Sequence, residues 1–443
     1  MKRWLAIAAI FALVATACTA GGEDPGPAPE PPGTTGEQEP VTIEMWGAWT
    51  GRELRQFNQI FDGFTEEYPW ITVESVGGVG DNKILAAINS GAPPDAVLSF
   101  GLDSVSQFCA SGAWQDMTPF IERDSFDLSQ FPEAVFQYTS YEGKQCAFPF
   151  LTDAYGLYYN TSLFENAGLT EPPRTMSELV ETAKQLTEFN PDGSIKVAGF
   201  VPWFGYYQFT PSPLSVMWGA DWYTEDLSAA AVGNDSDWAS LFEWQKELVD
   251  FYGEDNLARF VAGAGDEWSS PHDFQNGRVA MTIDGEWRTA FIADTAPDLP
   301  YATAPFPVPD DREDLYGMGQ IGGTIIGIPR GAPHLEEAWL LVSWMATDTD
   351  TLVYMANNVR NVPTTFAALE SPELDVTPQF QTFLDIFAHP ESHYKQTTPI
   401  GAADQEIVTS FAEDWQAGDA ASLGSGLQEA AQQINDQLAQ AGV

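Results

Sequence analysis

Between Val41 and Phe100 the chain alternates strand-like and helix-like segments without a break, and this succession limits the fold more than any other feature. VTIEMW (41–46) alternates and is β-rich, which suits a strand. Thr50-Gly51-Arg52-Glu53 has the spacing of a capping box, and Leu54, Phe57, Ile60, Phe61 and Phe64 then share one helical face. ITVESV (71–76) predicts a second strand. Asp81 can cap a helix through Lys83, Ile84, Leu85 and Ile88, ended by Gly91 with Pro93 and Pro94 beyond. DAVLSF (95–100) predicts a third strand, and a helix from about Asp103 ends near Gly112. Such a succession builds an open, largely parallel α/β sheet, with ligands at the carboxyl ends of its strands.

The pattern resumes downstream. DAYGLYYN (153–160), VAMTI (279–283) and TIIGIP (324–329) read as strands. Thr175-x-x-Glu178 is a second capping box, with Leu179, Val180, Ala183 and Leu186 turned inward. HLEEAWLLVSWMAT (334–347) and a stretch from about Leu427 to Leu438 read as helices. About 400 residues follow residue 40, long for one core, so two α/β lobes with a cleft between them are expected.

The N-terminus reads as an address rather than a domain. Lys2 and Arg3 precede an apolar run, Trp4 to Val14, that is too short to remain as a membrane span. Residues 1–17 are therefore expected to be an export signal. Ala15-Thr16-Ala17-Cys18 is similar to a lipid-attachment box, with Ala15 where Leu is usual, so Cys18 is expected to carry lipid; an ordinary signal peptide cleaved nearby is the plainer alternative. Residues 18–40, dominated by Pro, Gly and Glu, make a disordered tether. No later segment approaches the roughly 20 apolar residues of a membrane helix. This organisation predicts a folded body held on the outer face of the cell membrane.

The formal charge is -46, and removing Lys2 and Arg3 with the signal makes it -48. Nucleic acid is excluded as a partner, because phosphates call for Lys and Arg. The acidity serves solubility. With Cys18 lipidated, Cys109 and Cys146 remain as an even pair in an oxidising compartment. A disulfide between them is expected, worth about 4 kcal/mol by chain entropy, with two free buried thiols as the alternative.

Motif by motif, most chemistry drops out. Gly317-Met-Gly319-Gln-Ile-Gly322 fits a dinucleotide fingerprint, but a strand follows it instead of preceding it, so it reads as a turn and no cofactor is expected. His389-Pro-Glu-Ser-His393 spaces two His four apart, yet Pro390 makes a turn the better reading than a metal site. No nucleophile elbow occurs. A carboxylate pair for glycoside hydrolysis stays open among 64 acids. The aromatics are more informative. WGAWTGRE (46–53), VPWFGYYQF (201–209) and WGADWY (218–223) cluster rings in runs flanked by Gly or Pro, without helical or alternating spacing. Rings at strand ends, with acids, amides and Arg nearby, suit the apolar face and the hydroxyls of a sugar; inter-lobe packing is the competing use. FQNGRVAMTIDGEWRTAFI (274–292) frames the same choice, since its apolar run breaks at Asp284-Gly285 and Glu286, Trp287 and Arg288 follow.

Several stretches taken in order resemble the extracellular solute-binding proteins of ABC importers, the carbohydrate group related to maltose-binding protein. They are VTIEMWGAWTGRE, NSGAPPDAVLSFG with SGAWQDMTPFI, LTDAYGLYYNTSLFENAGL with PPRTMSELVETAKQLT, FQNGRVAMTIDGEW, and GGTIIGIPRGA. The resemblance implies a two-lobed type II periplasmic-binding-protein fold. Its N-terminal lobe would be 41–152 plus 307–352 and its C-terminal lobe 153–306 plus 353–443, with hinges near 151–153, 304–309 and 350–357. It implies that Trp287 stacks on sugar, that Asp153 accepts sugar hydroxyls beside Tyr155, and that the loops from Trp49 to Glu53 and from Ser99 to Leu102 border the cleft. The expected ligand residues are Trp49, Thr50, Arg52, Glu53, Asp81, Asn82, Ser99, Asp153, Tyr155, Trp203, Tyr206, Trp222, Asp284, Glu286, Trp287, Gly322, Gly323 and Arg360. The implied function is a monomeric, lipid-anchored binder of a di- or oligosaccharide. It would close on the ligand without chemistry and deliver it to a membrane permease with an attached ATPase. A polyol or polyamine binder and a secreted glycosidase are the alternatives.

Overall fold

The computed structural model describes residues 38–268, 271–418 and 422–443. The expected export signal, Cys18 and nearly all of the tether lie outside them. Strands β1 (Val41–Gly47), β2 (Ile71–Val76) and β3 (Ala96–Ser99) form as the alternation predicts, with β1 parallel to both neighbours. The helices Gly51–Glu67 and Asp81–Ser90 supply the two crossovers. A small hairpin, β4 (Ser140–Tyr141) with β5 (Lys144–Gln145), leads into β6 (Phe148–Asn160), and β7 (Glu188–Phe189), β8 (Ile195–Phe200), β9 (Val279–Gly285), β10 (Tyr301–Pro305), β11 (Ile321–Gly327) and β12 (Val362–Pro363) follow.

The main sheet runs β2-β1-β3-β11-β6-β9-β8-β7, with β10 and β12 also on β6. Thus β6 carries the sheet from one lobe into the other. The first core gathers Phe57, Phe64, Leu98, Trp114, Phe148, Trp339 and Met345; the second gathers Leu179, Trp222, Trp238, Phe242, Ile283, Val408 and Ile434. The helix Thr349–Val359, which spans the expected lobe boundary at 352/353, and the helix Pro378–Ala388 beyond it bury Met355, Phe380 and Phe383 in the first core. Cys109 and Cys146 are bonded, Cα to Cα 5.7 Å, pinning the helix Ser104–Ser111 to the chain just before β6.

Local signals account for many of the boundaries. Thr175 and Glu178 make both reciprocal bonds of a capping box, and Gly91 and Gly112 end their helices in the left-handed region. Two expectations need correcting. Thr50 stands at the N-cap but its side chain makes no capping bond. Asp81 is the first residue of its helix, Gly80 is the cap, and the Asp81 carboxylate instead accepts 2.6 Å from Ser99 Oγ. β9 also runs on through Asp284 and Gly285, which pair with Gly156 and Tyr155, so the strand does not break after Ile283. His389 to Ser392 form a turn, closed by Ser392 N–H to His389 O at 3.0 Å.

After that turn, residues 393–401 form a strap between the lobes. Tyr394 N–H donates to Gln137 Oε1 (3.3 Å), and the Thr397 and Ser106 hydroxyls meet at 2.7 Å. On the other side Tyr223 N–H donates to Gln396 Oε1 (3.3 Å) and Thr398 Oγ1 to the Tyr223 hydroxyl (3.2 Å). Lys395, wholly buried, joins both: its Nζ lies 2.7 Å from Asp103 and 2.8 Å from Asp404.

Candidate functional site

The register of β6, β9 and β11 builds the site. Asp153 pairs with Gly322 and Tyr155 with Gly285, so both side chains project from one face of the strand that joins the lobes. Glu286 follows the end of β9 and folds back: its Oε2 accepts from Ala154 N–H at 2.8 Å. Asn361, between the helix Thr349–Val359 and β12, donates from Nδ2 to Glu286 Oε1 (2.9 Å) and to Asp153 Oδ1. Among the described residues no lysine or arginine pairs with either acid. Burial raises the Asp153 pKa to about 6; burial and then the Asp153 charge raise that of Glu286 well above the ordinary value. One Asn361 amide bridges the two carboxyls, so burial and mutual repulsion let the pair keep a proton to higher pH than free carboxyls do.

An aromatic wall adjoins this cluster. The Tyr155 and Trp287 rings meet edge to face at 5.6 Å, and Trp268 lies 6.2 Å from Trp287. Gly285 is required here, since a Cβ would fall 2.1 Å from the Trp287 ring. Beneath the wall Arg288 pairs with Asp284 at 2.6 Å, both wholly buried, and Arg288 Nη1 donates to Glu267 O at 2.8 Å. Asp284 is therefore committed to holding Arg288. Burial, with Asp284 adding to it, raises Glu267 to about 7, and Gln208 Nε2 donates to its carboxylate at 2.5 Å. His272 is buried against Tyr207, ring centres 4.2 Å apart, with neither ring nitrogen hydrogen-bonded; burial first, then the Arg288 charge, push its pKa down to about 2.

The first lobe supplies the facing rim. Arg52 Nε reaches Asp294 at 2.5 Å, tying the helix Gly51–Glu67 to the helix Arg288–Thr295. Burial raises the Glu53 pKa, with backbone bonding and Arg52 opposing it. Thr50 and Asn82 are exposed, Ser99 is bonded to Asp81, and Trp49 is buried edge-on to Phe57 at 5.3 Å. On β11, Gly322 O accepts from Thr152 Oγ1 (2.6 Å), and Gly323 adopts φ 136° where a Cβ would lie 2.2 Å from Leu151 O.

Four expected residues are engaged elsewhere. Trp222 is 2 % exposed, stands perpendicular to Trp238 at 4.9 Å, and donates from Nε1 to Ser215 Oγ (2.8 Å). The Tyr206 hydroxyl donates to Asp273 (3.0 Å), and Trp203 packs in the same small cluster. Arg360 turns at φ 65° toward Asp375, and its guanidinium lies over Phe380 at 5.8 Å. Sequence reasoning passed over Asn361, Trp268, Glu267 and Gln208; only the run of polar residues after the helix Thr349–Val359 pointed toward the first.

The architecture recurs in solved structures. One protein solved with mannotriose bound superposes with a TM-score of 0.79 at 24 % identity, over 90 % of this chain and all of that one. A maltose-bound protein of T. maritima gives 0.73 at 21 % identity, over 89 % and 99 %. These likenesses define the two-lobed fold of type II. Residues 48–351 match the model of the bacterial extracellular solute-binding proteins, and the chain belongs to that family. Among curated relatives, the maltotriose-binding protein of Pyrococcus abyssi is 20 % identical over 354 residues, 78 % of this chain and 72 % of the relative. The mannitol-binding protein of Pseudomonas aeruginosa is 24 % identical over 366 residues, covering 78 % and 79 %.

Proposed function

We propose that the protein captures a neutral di- or oligosaccharide outside the cell and hands it to an ABC importer. The observation that carries this reading is the Asp153–Glu286–Asn361 cluster beside the Tyr155–Trp287 wall. Sugar hydroxyls donate to carboxylates that no cation neutralises, and the C–H face of the ring packs on the aromatics. The names of the maltotriose- and mannitol-binding relatives support a polyhydroxylated ligand. The lobes close about the strand crossings at 151–153 and 304–309. We place the third crossing in the strap at 393–401, because 350–357 lies inside the helix Thr349–Val359. The reading includes lipid anchoring through Cys18, action as a monomer, and transfer to permease and ATPase subunits. It involves no chemical step: one Asn361 amide bridges Asp153 and Glu286, whereas the two acids of a glycosidase flank a scissile bond.

The test is thermal unfolding of the exported chain with mannotriose, maltotriose, mannobiose, maltose, mannitol and spermidine. A ligand at a hundred times its Kd adds about 2.7 kcal/mol of stability. The expected result is a shift with one or two sugars that Trp287→Ala abolishes. A shift with mannitol or spermidine alone overturns the sugar assignment, and release of shortened sugar overturns binding without chemistry.

A further inference from the structure

The reading above uses the Tyr155–Trp287 corner and leaves Trp268 unexplained. Trp268 is 54 % exposed, the most exposed large apolar side chain among the described residues. Leaving so much indole in water forgoes burial energy, yet the ring is held from several sides. Its backbone N–H donates to Asp266 Oδ1 at 2.9 Å, and the preceding carbonyl, Glu267 O, accepts from Arg288 Nη1 at 2.8 Å. The guanidinium lies 6.0 Å from the ring centre, and Phe291 and Trp287 stand 6.1 and 6.2 Å away. Arg288 is anchored in turn by Asp284, so the platform rests on a fixed, charge-balanced base.

A second observation is independent of that exposure. Among the described residues Arg288 Nη2 is a buried donor with no hydrogen-bond partner, and its guanidinium lies against Trp268. Leaving such a donor unpaired costs about 1–3 kcal/mol. A polyhydroxylated ligand settling on this wall would supply the missing acceptor. The centres of Tyr155, Trp287 and Trp268 follow one another at 5.6 and 6.2 Å, close to the length of a pyranose unit. Around the outer ring, Asp284 balances Arg288 and the Glu267 carboxylate is acidic, so a uronate or phosphosugar is disfavoured there.

We propose that Trp268 forms a second sugar subsite beside Trp287, so that the ligand is an uncharged saccharide of at least two pyranose rings. This rests on the sugar-binding reading and adds the residue that holds the second ring. The experiment is calorimetric titration of the exported chain and its Trp268→Ala and Trp268→Phe variants with mannose, mannobiose and mannotriose, and with glucose, maltose and maltotriose. Because the ring is exposed, both variants are expected to keep the wild-type Tm. The preferred di- or trisaccharide should bind Trp268→Ala about tenfold more weakly, with Trp268→Phe recovering part of the loss. The matching monosaccharide should bind all three chains within twofold of one another. Equal wild-type affinity for the monosaccharide and its longer homologues, or an unchanged affinity of Trp268→Ala for the longer sugars, overturns the subsite while leaving sugar binding in place. No binding of any sugar to the wild type overturns the functional reading and the subsite together.

Discussion

Two of the buried acid clusters among the described residues differ in what balances them, and the difference sets a brace between the lobes against the proposed ligand site. Asp103 meets Lys395 and Asp404 from far along the chain, and Asp153, Glu286 and Asn361 come from three distant segments. In the first, a lysine stands between the acids. Burial works against its charge, yet Asp103 and Asp404 hold the Lys395 pKa above its ordinary value. The Tyr223 hydroxyl donates to Asp404 at 2.6 Å, and the Trp222 ring lies 4.6 Å from Nζ. In the second cluster an amide takes the place of the cation. An amide orients carboxylates without neutralising them, so acceptor capacity remains unspent. The first cluster carries its own cation; the second leaves acceptors that the proposed ligand's hydroxyls would use.

The contrast breaks most visibly at Lys395. Lys395→Met leaves two buried carboxylates facing each other without a cation, and urea unfolding should show a loss of about 3–5 kcal/mol. A change below about 1 kcal/mol would mean that the strap is not an electrostatic brace. The second cluster should show its character in pH dependence. With its folded pKa raised to about 6, Asp153 contributes stability that is fully present below its unfolded value near 4 and is lost as pH rises through 6. The difference in Tm between Asp153→Asn and wild type should therefore shift in the variant's favour from pH 4 to 7 in the ligand-free protein, and a flat difference would remove the retained proton. The smallest effect belongs to the partly exposed Arg52–Asp294 pair: Arg52→Gln should cost less than about 1 kcal/mol, and less still in high salt. Any change in ligand affinity should appear mainly as faster dissociation, measured by stopped-flow tryptophan fluorescence.

Legibility in the sequence followed the locality of the signal. β1 to β3, the Thr175 box and the glycine stops at Gly91 and Gly112 are written in neighbouring residues, and their positions read directly. The first half of β6 is FPFLT, all buried, and β8 is buried at five of its six positions, so neither shows the two-residue alternation that marks a one-sided strand. At the site, Asp153, Tyr155, Glu286 and Trp287 lie together as the resemblance implies. Asn361 was missed in favour of Arg360, one residue away. The left-handed turn at Arg360 sends that side chain toward Asp375 and leaves the next residue to face the acids, and no spacing rule carries that rotation. The aromatic run around Trp222 looked like an open loop because Gly flanks it, but Gly219 ends the helix Pro211–Trp218 and Trp222 folds into the second core.

The strap at 393–401 has a consequence in time. The strap itself follows both sheets in the chain, whereas Asp103, Ser106, Gln137 and Tyr223, which receive it, come earlier. A chain made only as far as β12 can pair its strands, but it lacks Lys395 and with it the buried ion pairs between its two halves. The buried brace between the lobes is thus acquired only after the sheets are in place.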